Sequence, residues 1–258
     1  MINLATVKCI YDFLDKIAPF ESAMDFDNCG ILVGDKNKSV EKILLALDIT
    51  SEVVEEAQKT GAELIISHHP VIFKGIKNLE FNTPVSLLCK FGISAICAHT
   101  NLDLANEGVN FHLAKKIGLE NLSSLAIENG CSLGLIGDLS SSLNCKEFAK
   151  MVKEKLDCNG VRYTFKNNCK INRVAVCSGS GGEFVELAKN LGADAFVTGE
   201  IKHSQILKAN EIGLMVVDAG HFKTENVVIK PLAEILQKKF AHIEFNISET
   251  CSDYVEYL

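Results

Sequence analysis

The feature that most constrains this chain is a repeat inside it. The run Val54-Glu55-Glu56-Ala57-Gln58-Lys59-Thr60-Gly61-Ala62-Glu63-Leu64-Ile65-Ile66-Ser67 aligns without gaps on Val185-Glu186-Leu187-Ala188-Lys189-Asn190-Leu191-Gly192-Ala193-Asp194-Ala195-Phe196-Val197-Thr198. Both copies read as a helix, a Gly-Ala turn and a buried strand. Each is preceded by an apolar strand and a polar turn ending in glutamate, Asp48 to Glu52 and Ser178 to Glu183. Each is followed by a further helix and a strand that ends at a histidine, at Ala98-His99 and Gly220-His221. Because element order repeats as well as identity, the chain is expected to be α/β, built of two similar halves related by internal duplication. Open α/β sheets collect functional groups beyond the carboxyl ends of their strands, so a site between the halves at those ends is the natural expectation.

Periodicity places helices at Leu4 to Ile17, Glu52 to Lys59, Pro84 to Phe91, Val109 to Ile117, Lys146 to Leu156, Phe184 to Asn190, Ser204 to Ala209 and Glu225 to Lys239. Strands are expected at Lys42 to Leu47, Glu63 to Ser67, Ile93 to Ala98, Cys131 to Ile136, Val161 to Phe165, Arg173 to Cys177, Ala195 to Thr198, Leu214 to Asp218 and His242 to Ile247. The stretch Leu119 to Gly130 is the most polar and least periodic in mid-chain. It marks the expected divide, giving a first half over 1–126 and a second over 127–258, with the C-terminal segment free to pack back on the first.

Composition narrows the partners. With 258 residues, 26 Lys and Arg against 33 Asp and Glu, and a net charge of −7, the chain lacks the positive footprint that nucleic acid requires. Its longest apolar stretches, such as Ile43 to Leu47, are strand-sized and far below a bilayer span. The segment Met1 to Phe20 carries Asp12 and Asp15 and no basic head or apolar centre, so a cytoplasmic protein is expected. The ten cysteines show no Cys-x2-Cys or Cys-x4-Cys pair, and several lie in apolar runs, which reads as buried thiol and not as a zinc set.

Five of the seven histidines sit at predicted strand ends or just after them. His68 and His69 follow Ser67; His99 follows Ala98, with Asp103 four residues on; His203 follows Gly199-Glu200; and His221 follows Gly220, with Glu225 four residues on. Adjacent histidines at a strand end project in different directions and suit two neighbouring ions better than one. His221 and Glu225 share a face if their segment is helical, and a carboxylate can bridge two ions. His68, His69, Asp103, His221 and Glu225 together form a mixed imidazole and carboxylate set suited to zinc, manganese or iron in hydrolytic work. Singly, each has a plainer reading: a hydrogen-bonded histidine, a turn-capping Asp103, a first-turn Glu225. His112 and His242 take that plainer reading outright. The turn Gly179-Ser180-Gly181-Gly182 lacks the Lys-Ser/Thr of a P-loop, and reads either as an anion cradle at a helix start or as a turn alone.

Ser67-His68-His69-Pro70, Ala98-His99-Thr100-Asn101-Leu102-Asp103 and Gly220-His221-Phe222-Lys223-Thr224-Glu225 resemble the signature segments of the Nif-three-like family, whose members carry the label GTP cyclohydrolase type-two homologue. Asp27-Asn28-Cys29-Gly30-Ile31-Leu32-Val33-Gly34 and Thr198-Gly199-Glu200-Ile201-Lys202-His203 resemble two more. The resemblance implies a duplicated α/β fold, a dinuclear metal centre and a ring-shaped homohexamer with sites facing an internal cavity. It implies His68 and Asp103 on one ion, His69 and His221 on the other, and Glu225 on both, with zinc first and iron or manganese also suited. His99, Glu200 and His203 stand as candidates for supporting the ligands or transferring protons. Phe26 occupies a position where the family often has tryptophan, and Cys29 replaces a more usual aliphatic or small residue. The inserted domain that some members carry between the halves does not fit in this length.

Two classes of function follow. One is a metal-dependent hydrolase acting on a nucleotide or similar small molecule. The other is a protein that handles metal, as a chaperone, or binds a regulatory ligand without turnover.

Overall fold

The computed structural model describes residues 5–164 and 169–258. The chain divides into two compact units: unit 1 comprises Met1–Ala105 and Ile229–Ser252, and unit 2 comprises Asn106–Val228 and Asp253–Leu258.

Helix α1 (Val7–Ile17) starts where the Thr6 hydroxyl accepts from the Cys9 amide, and buries Val7, Ile10 and Leu14 on one face. Leu4, the expected start of this helix, lies outside the described residues. Then come β1 (Gly30–Val33), β2 (Lys42–Ala46), α2 (Ser51–Thr60), β3 (Leu64–Ser67), α3 (Pro84–Phe91), β4 (Ser94–Cys97) and the short α4 (Thr100–Leu104). Unit 2 supplies α5 (Val109–Ile117), β5 (Glu120–Glu128), β6 (Cys131–Leu143), α6 (Cys145–Lys155), β7 (Arg162–Tyr163), β8 (Ile171–Cys177), α7 (Val185–Asn190), β9 (Ala195–Thr198), α8 (His203–Ile212), β10 (Met215–Asp218) and α9 (His221–Glu225). The chain returns to unit 1 with α10 (Ile229–Lys239) and β11 (Glu244–Ile247).

In unit 1 the strand order is β1-β4-β3-β2-β11, with β2, β3 and β4 parallel, β11 parallel to β2, and β1 antiparallel to β4. In unit 2 the order is β5-β6-β8-β9-β10-β7, with β8, β9 and β10 parallel and β7 antiparallel to β10. The expected duplication is therefore visible as topology: β2-α2-β3-α3-β4 and β8-α7-β9-α8-β10 have the same order and direction, and each is closed by an antiparallel strand on its last member. Register makes the match exact to the residue. Ala46 pairs with Ser67 and Ser67 with Cys97; Cys177 pairs with Thr198 and Thr198 with Asp218. These parallel strands are buried on both faces, which accounts for their continuous apolar runs. On one face of the first sheet, Leu44, Val53, Ala57, Ile65 and Leu88 pack together; in unit 2, Phe148, Val174, Val197 and Val217 do the same.

Several expectations need correction. The break expected between residues 126 and 127 falls inside β5, and the chain divides after Ala105 instead. Leu119 to Gly130 looked like a linker because β5 is an edge strand with most side chains in solvent, so it carries little apolar periodicity. Residues 229–252 belong to unit 1. The long helix expected from Glu225 to Lys239 is interrupted: α9 ends at Glu225, a turn of 3-10 helix covers Asn226–Val228, and α10 begins at Ile229. Pro231 lies in the first turn of α10, where its missing N–H costs no helical bond. The strand expected over Val161 to Phe165 is the two-residue β7, and Phe165 lies outside the described residues. Among the cysteines, Cys97, Cys158 and Cys177 are buried thiols as expected, but Cys9 and Cys89 are exposed on helix faces. Cys145 and Cys169 are joined as a disulfide, with Cα atoms 6.0 Å apart. Among the described residues no helix is long and apolar enough to cross a membrane.

Candidate metal centre

In unit 1, β3 and β4 end side by side and deliver their histidines to one place. One ligand atom from each of His68, His69 and His99 lies within 4.8 Å of the other two, with ring centroids 5.0 to 5.4 Å apart. His68 is buried, and its Nδ1–H donates to the Ala98 carbonyl at 3.0 Å. Its Nε2 stands 3.7 Å from Asp103 Oδ1, which α4 brings round one turn after the end of β4. The His69 Nδ1–H donates to Asp48 Oδ1 at 2.7 Å. Asp48 lies just beyond β2, so three adjacent parallel strands each contribute to one cluster.

His99 is held in the same manner by Asp27, whose Oδ1 accepts from Nδ1 at 2.9 Å. The other carboxylate oxygen accepts from the Thr100 amide, the Thr100 hydroxyl and the Cys29 thiol. Burial opposes ionisation of Asp27, but the hydrogen bonds from His99, Cys29 and Thr100 outweigh it and hold the carboxyl well below the usual carboxylate range. Behind the cluster, the Cys97 thiol donates to the His68 carbonyl, and burial pushes its own ionisation far upward. Cys97 is thus a packing residue rather than a thiolate ligand.

In unit 2, α9 opens directly after β10 and places His221 and Glu225 on one face. His221 Nε2 is 2.9 Å from Glu225 Oε2, and its Nδ1 is 3.1 Å from Glu200 Oε1. Glu225 is buried, whereas Glu200 is largely exposed. The glycine-rich turn explains itself here. A Cβ on Gly179, which has φ +59°, would stand 2.1 Å from Glu225 Oε1 and 3.3 Å from His221 Nε2. One on Gly199 would meet Thr224 and the His221 backbone at 2.6 to 2.7 Å. The Gly179 and Gly181 amides already donate to the hydroxyls of Thr224 and Thr198. These glycines make room for the His221 and Glu225 side chains, and two of the amides an anion cradle would need are engaged inside the fold. His203 is exposed in the first turn of α8.

The predicted residues thus gather as His68, His69, His99 and Asp103 in unit 1, and Glu200, His221 and Glu225 in unit 2. Sequence reasoning missed the part played by Asp48 and by Asp27. Asp48 directly follows an expected strand, so reading every strand end for carboxylates as well as histidines would have found it. The donor chemistry fits divalent ions of the zinc, iron and manganese kind. In His68, His69 and His221, Nδ1 faces a carbonyl or carboxylate, the arrangement that fixes the tautomer and presents Nε2 as the ligating nitrogen.

Comparison with known proteins agrees with this reading of the fold. The family model described as Duf34/NIF3 (NGG1p interacting factor 3) matches residues 5–255. A protein of Clostridium perfringens named GTP cyclohydrolase 1 type 2 homolog is 33% identical over 257 residues, covering 96% of this chain and 98% of its own. A hypothetical protein of Staphylococcus aureus has the same fold at a TM-score of 0.94 and 31% identity, over 99% of this chain and 100% of that one. A Bacillus cereus protein related to NIF3 also gives a TM-score of 0.94, at 25% identity, over 99% and 100% of the two chains. With a family model spanning nearly its whole length and a curated relative matched end to end, the chain belongs to the DUF34/NIF3 family.

Proposed function

We propose that the chain is a dinuclear metal-dependent hydrolase acting on a nucleotide or a similar small molecule. As the family resemblance implies, His68 and Asp103 would hold one ion, His69 and His221 the other, and Glu225 both. The observation that carries this reading is the common posture of the three ligand histidines, each with Nδ1 turned to an oxygen of its own unit. When bound, such a pair of ions supplies a Lewis-acid field that makes water a better nucleophile at neutral pH and steadies a leaving oxygen. The chain's own residues do the rest. Asp48 and Glu200 fix the imidazoles of His69 and His221, and Asp27 holds the His99 proton on Nδ1 so that Nε2 can accept one from a reacting group. The nucleotide substrate is supported by the name GTP cyclohydrolase 1 type 2 homolog borne by the Clostridium perfringens relative. The family resemblance further supports a cytoplasmic homohexamer, to be checked by sedimentation or light scattering.

Metal content per chain and turnover on nucleotides, phosphoesters and amides test the proposal. Wild type is expected to hold close to two ions, and Glu225→Gln at most one, with activity lost. A stoichiometry near zero under every reconstitution condition would overturn the shared site. Two ions with no turnover on any substrate class would overturn the hydrolase and leave a metal-handling protein.

A further inference from the structure

Two aromatic rings stand in solvent on the segments that run into and out of the imidazole cluster of unit 1. Phe26 is 63% exposed and Phe73 is 44% exposed, yet their centroids are only 6.4 Å apart, with planes tilted by 50°. They come from segments far apart in sequence that are tied together by a side-chain hydrogen bond. The Asn28 side-chain amide donates to the Ile72 carbonyl at 2.5 Å, next to Phe73. Phe26 directly precedes Asp27, the carboxylate that holds His99 and Thr100, and Phe73 follows His69 by four residues. The segment that carries Asp27 therefore also carries Phe26, and the Asn28–Ile72 hydrogen bond ties it to the segment of Phe73.

Large apolar side chains scattered singly carry no message, but a pair set on hydrogen-bonded segments next in sequence to the imidazole cluster does. We infer that Phe26 and Phe73 form an aromatic clip for the planar heteroaromatic ring of a phosphorylated substrate. This deepens the hydrolase proposal and rests on it for the neighbouring ions. A tilted pair at this spacing offers a face from one ring and an edge from the other, the two contacts that aromatic systems prefer. The occupant's charge follows from the same loop, where Lys74 and Lys77 are exposed in a chain of net charge −7. They complement an anionic substituent such as phosphate. Stacking of this kind tolerates different bases, because every heterocycle presents a π-face.

The test uses metal-loaded protein titrated calorimetrically with guanosine monophosphate, adenosine monophosphate and ribose phosphate. At least one nucleotide is expected to bind wild type saturably, and Phe26→Ala and Phe73→Ala each to weaken it about tenfold or more. Ribose phosphate should be indifferent to both changes. Phe26→Trp, which adds a tryptophan to a chain that has none, should retain binding and show fluorescence quenching on titration. Metal content of every variant is measured alongside. Depleted metal in wild type marks failure of the ion site, whereas intact metal with equal nucleotide affinity in wild type and the alanine variants overturns the clip. Absence of saturable binding by either nucleotide to metal-loaded wild type overturns it too. So does a fall in oligomeric state in the alanine variants with nucleotide affinity unchanged, which would make the ring pair a contact between copies.

Discussion

The two units run the same βαβαβ core in the same register, and they place imidazole and carboxylate groups differently at their strand ends. Register equates Ser67 with Thr198 and Cys97 with Asp218. By the same count Asp48 corresponds to Gly179, His69 to Glu200, and His99 to Gly220. In unit 1 the position after the first strand is a carboxylate that orients a histidine on the second. In unit 2 that position is bare, to admit Glu225, and the carboxylate has moved to the end of the second strand, where Glu200 faces a histidine on the helix after the third strand. A duplicated scaffold thus conserves the place where ligands gather and leaves free which strand end supplies imidazole and which supplies oxygen. The antiparallel edge strands repeat the theme. Beside β1, Asp27 holds His99; in β7, Arg162 forms an ion pair with the buried Asp218.

The comparison is most exposed at Gly179. Gly179→Ala should displace Glu225, cost about 1–3 kcal/mol of stability as an overpacked substitution and, on the proposed assignment, abolish metal binding. Asp48→Ala at the equivalent position of unit 1 should leave the fold intact. Thermal denaturation with metal analysis would show the contrast, and normal metal content in Gly179→Ala would break it. Next in size are the two orienting carboxylates. Asp48→Asn should lower metal affinity by about 10- to 100-fold, as loss of a partner behind a ligand histidine does. Glu200→Gln, whose carboxylate is 59% exposed, should cost several-fold less. Equal losses by competition with a chelating dye would show that the two units support their histidines alike.

The smallest effect concerns pH. The Asp27 carboxyl is depressed on folding, so the stability it contributes is full above its unfolded value near 4 and is lost as pH falls through the lower folded value. Asp27→Asn should therefore reduce stability at neutral pH and flatten the loss of stability in acid, read as denaturation midpoints from pH 7 down to about pH 3. An unchanged acid limb would remove Asp27 from the account of how unit 1 holds His99.

Much of this was legible in the sequence because the information was local. The bounds of α3 follow from Thr83 before Pro84 and Gly92 after Phe91, and those of α5 from its flanking glycines. The repeat announced the matched cores, and the strand-end rule found the histidines. What escaped depends on tertiary context. The strand β1 is four residues long, entered by Gly30 at φ +112°, and is defined only by pairing with β4. Strand β5 hid behind its solvated face. The break after Glu225 lies in a segment of ordinary helical pattern, and becomes visible only as the point where the chain leaves unit 2 for unit 1. Asp48 stands at an expected strand end and Asp27 in a motif segment, but which histidine each one holds is set by the tertiary structure.

That return of the chain has a consequence for how the protein is made. Strand β2 (Lys42–Ala46) sits beside β11 (Glu244–Ile247) in the finished sheet, although β11 is made only after all the other strands. At a synthesis rate of about 5–20 residues per second, β2 waits roughly ten to forty seconds on the ribosome with one hydrogen-bonding edge uncovered. Residues 106–228, the bulk of unit 2, emerge during that interval and can fold first. The sheet of unit 1 is thus completed after the sheet of unit 2, and a ribosome stalled before residue 244 holds a nascent chain whose first sheet has an open seam.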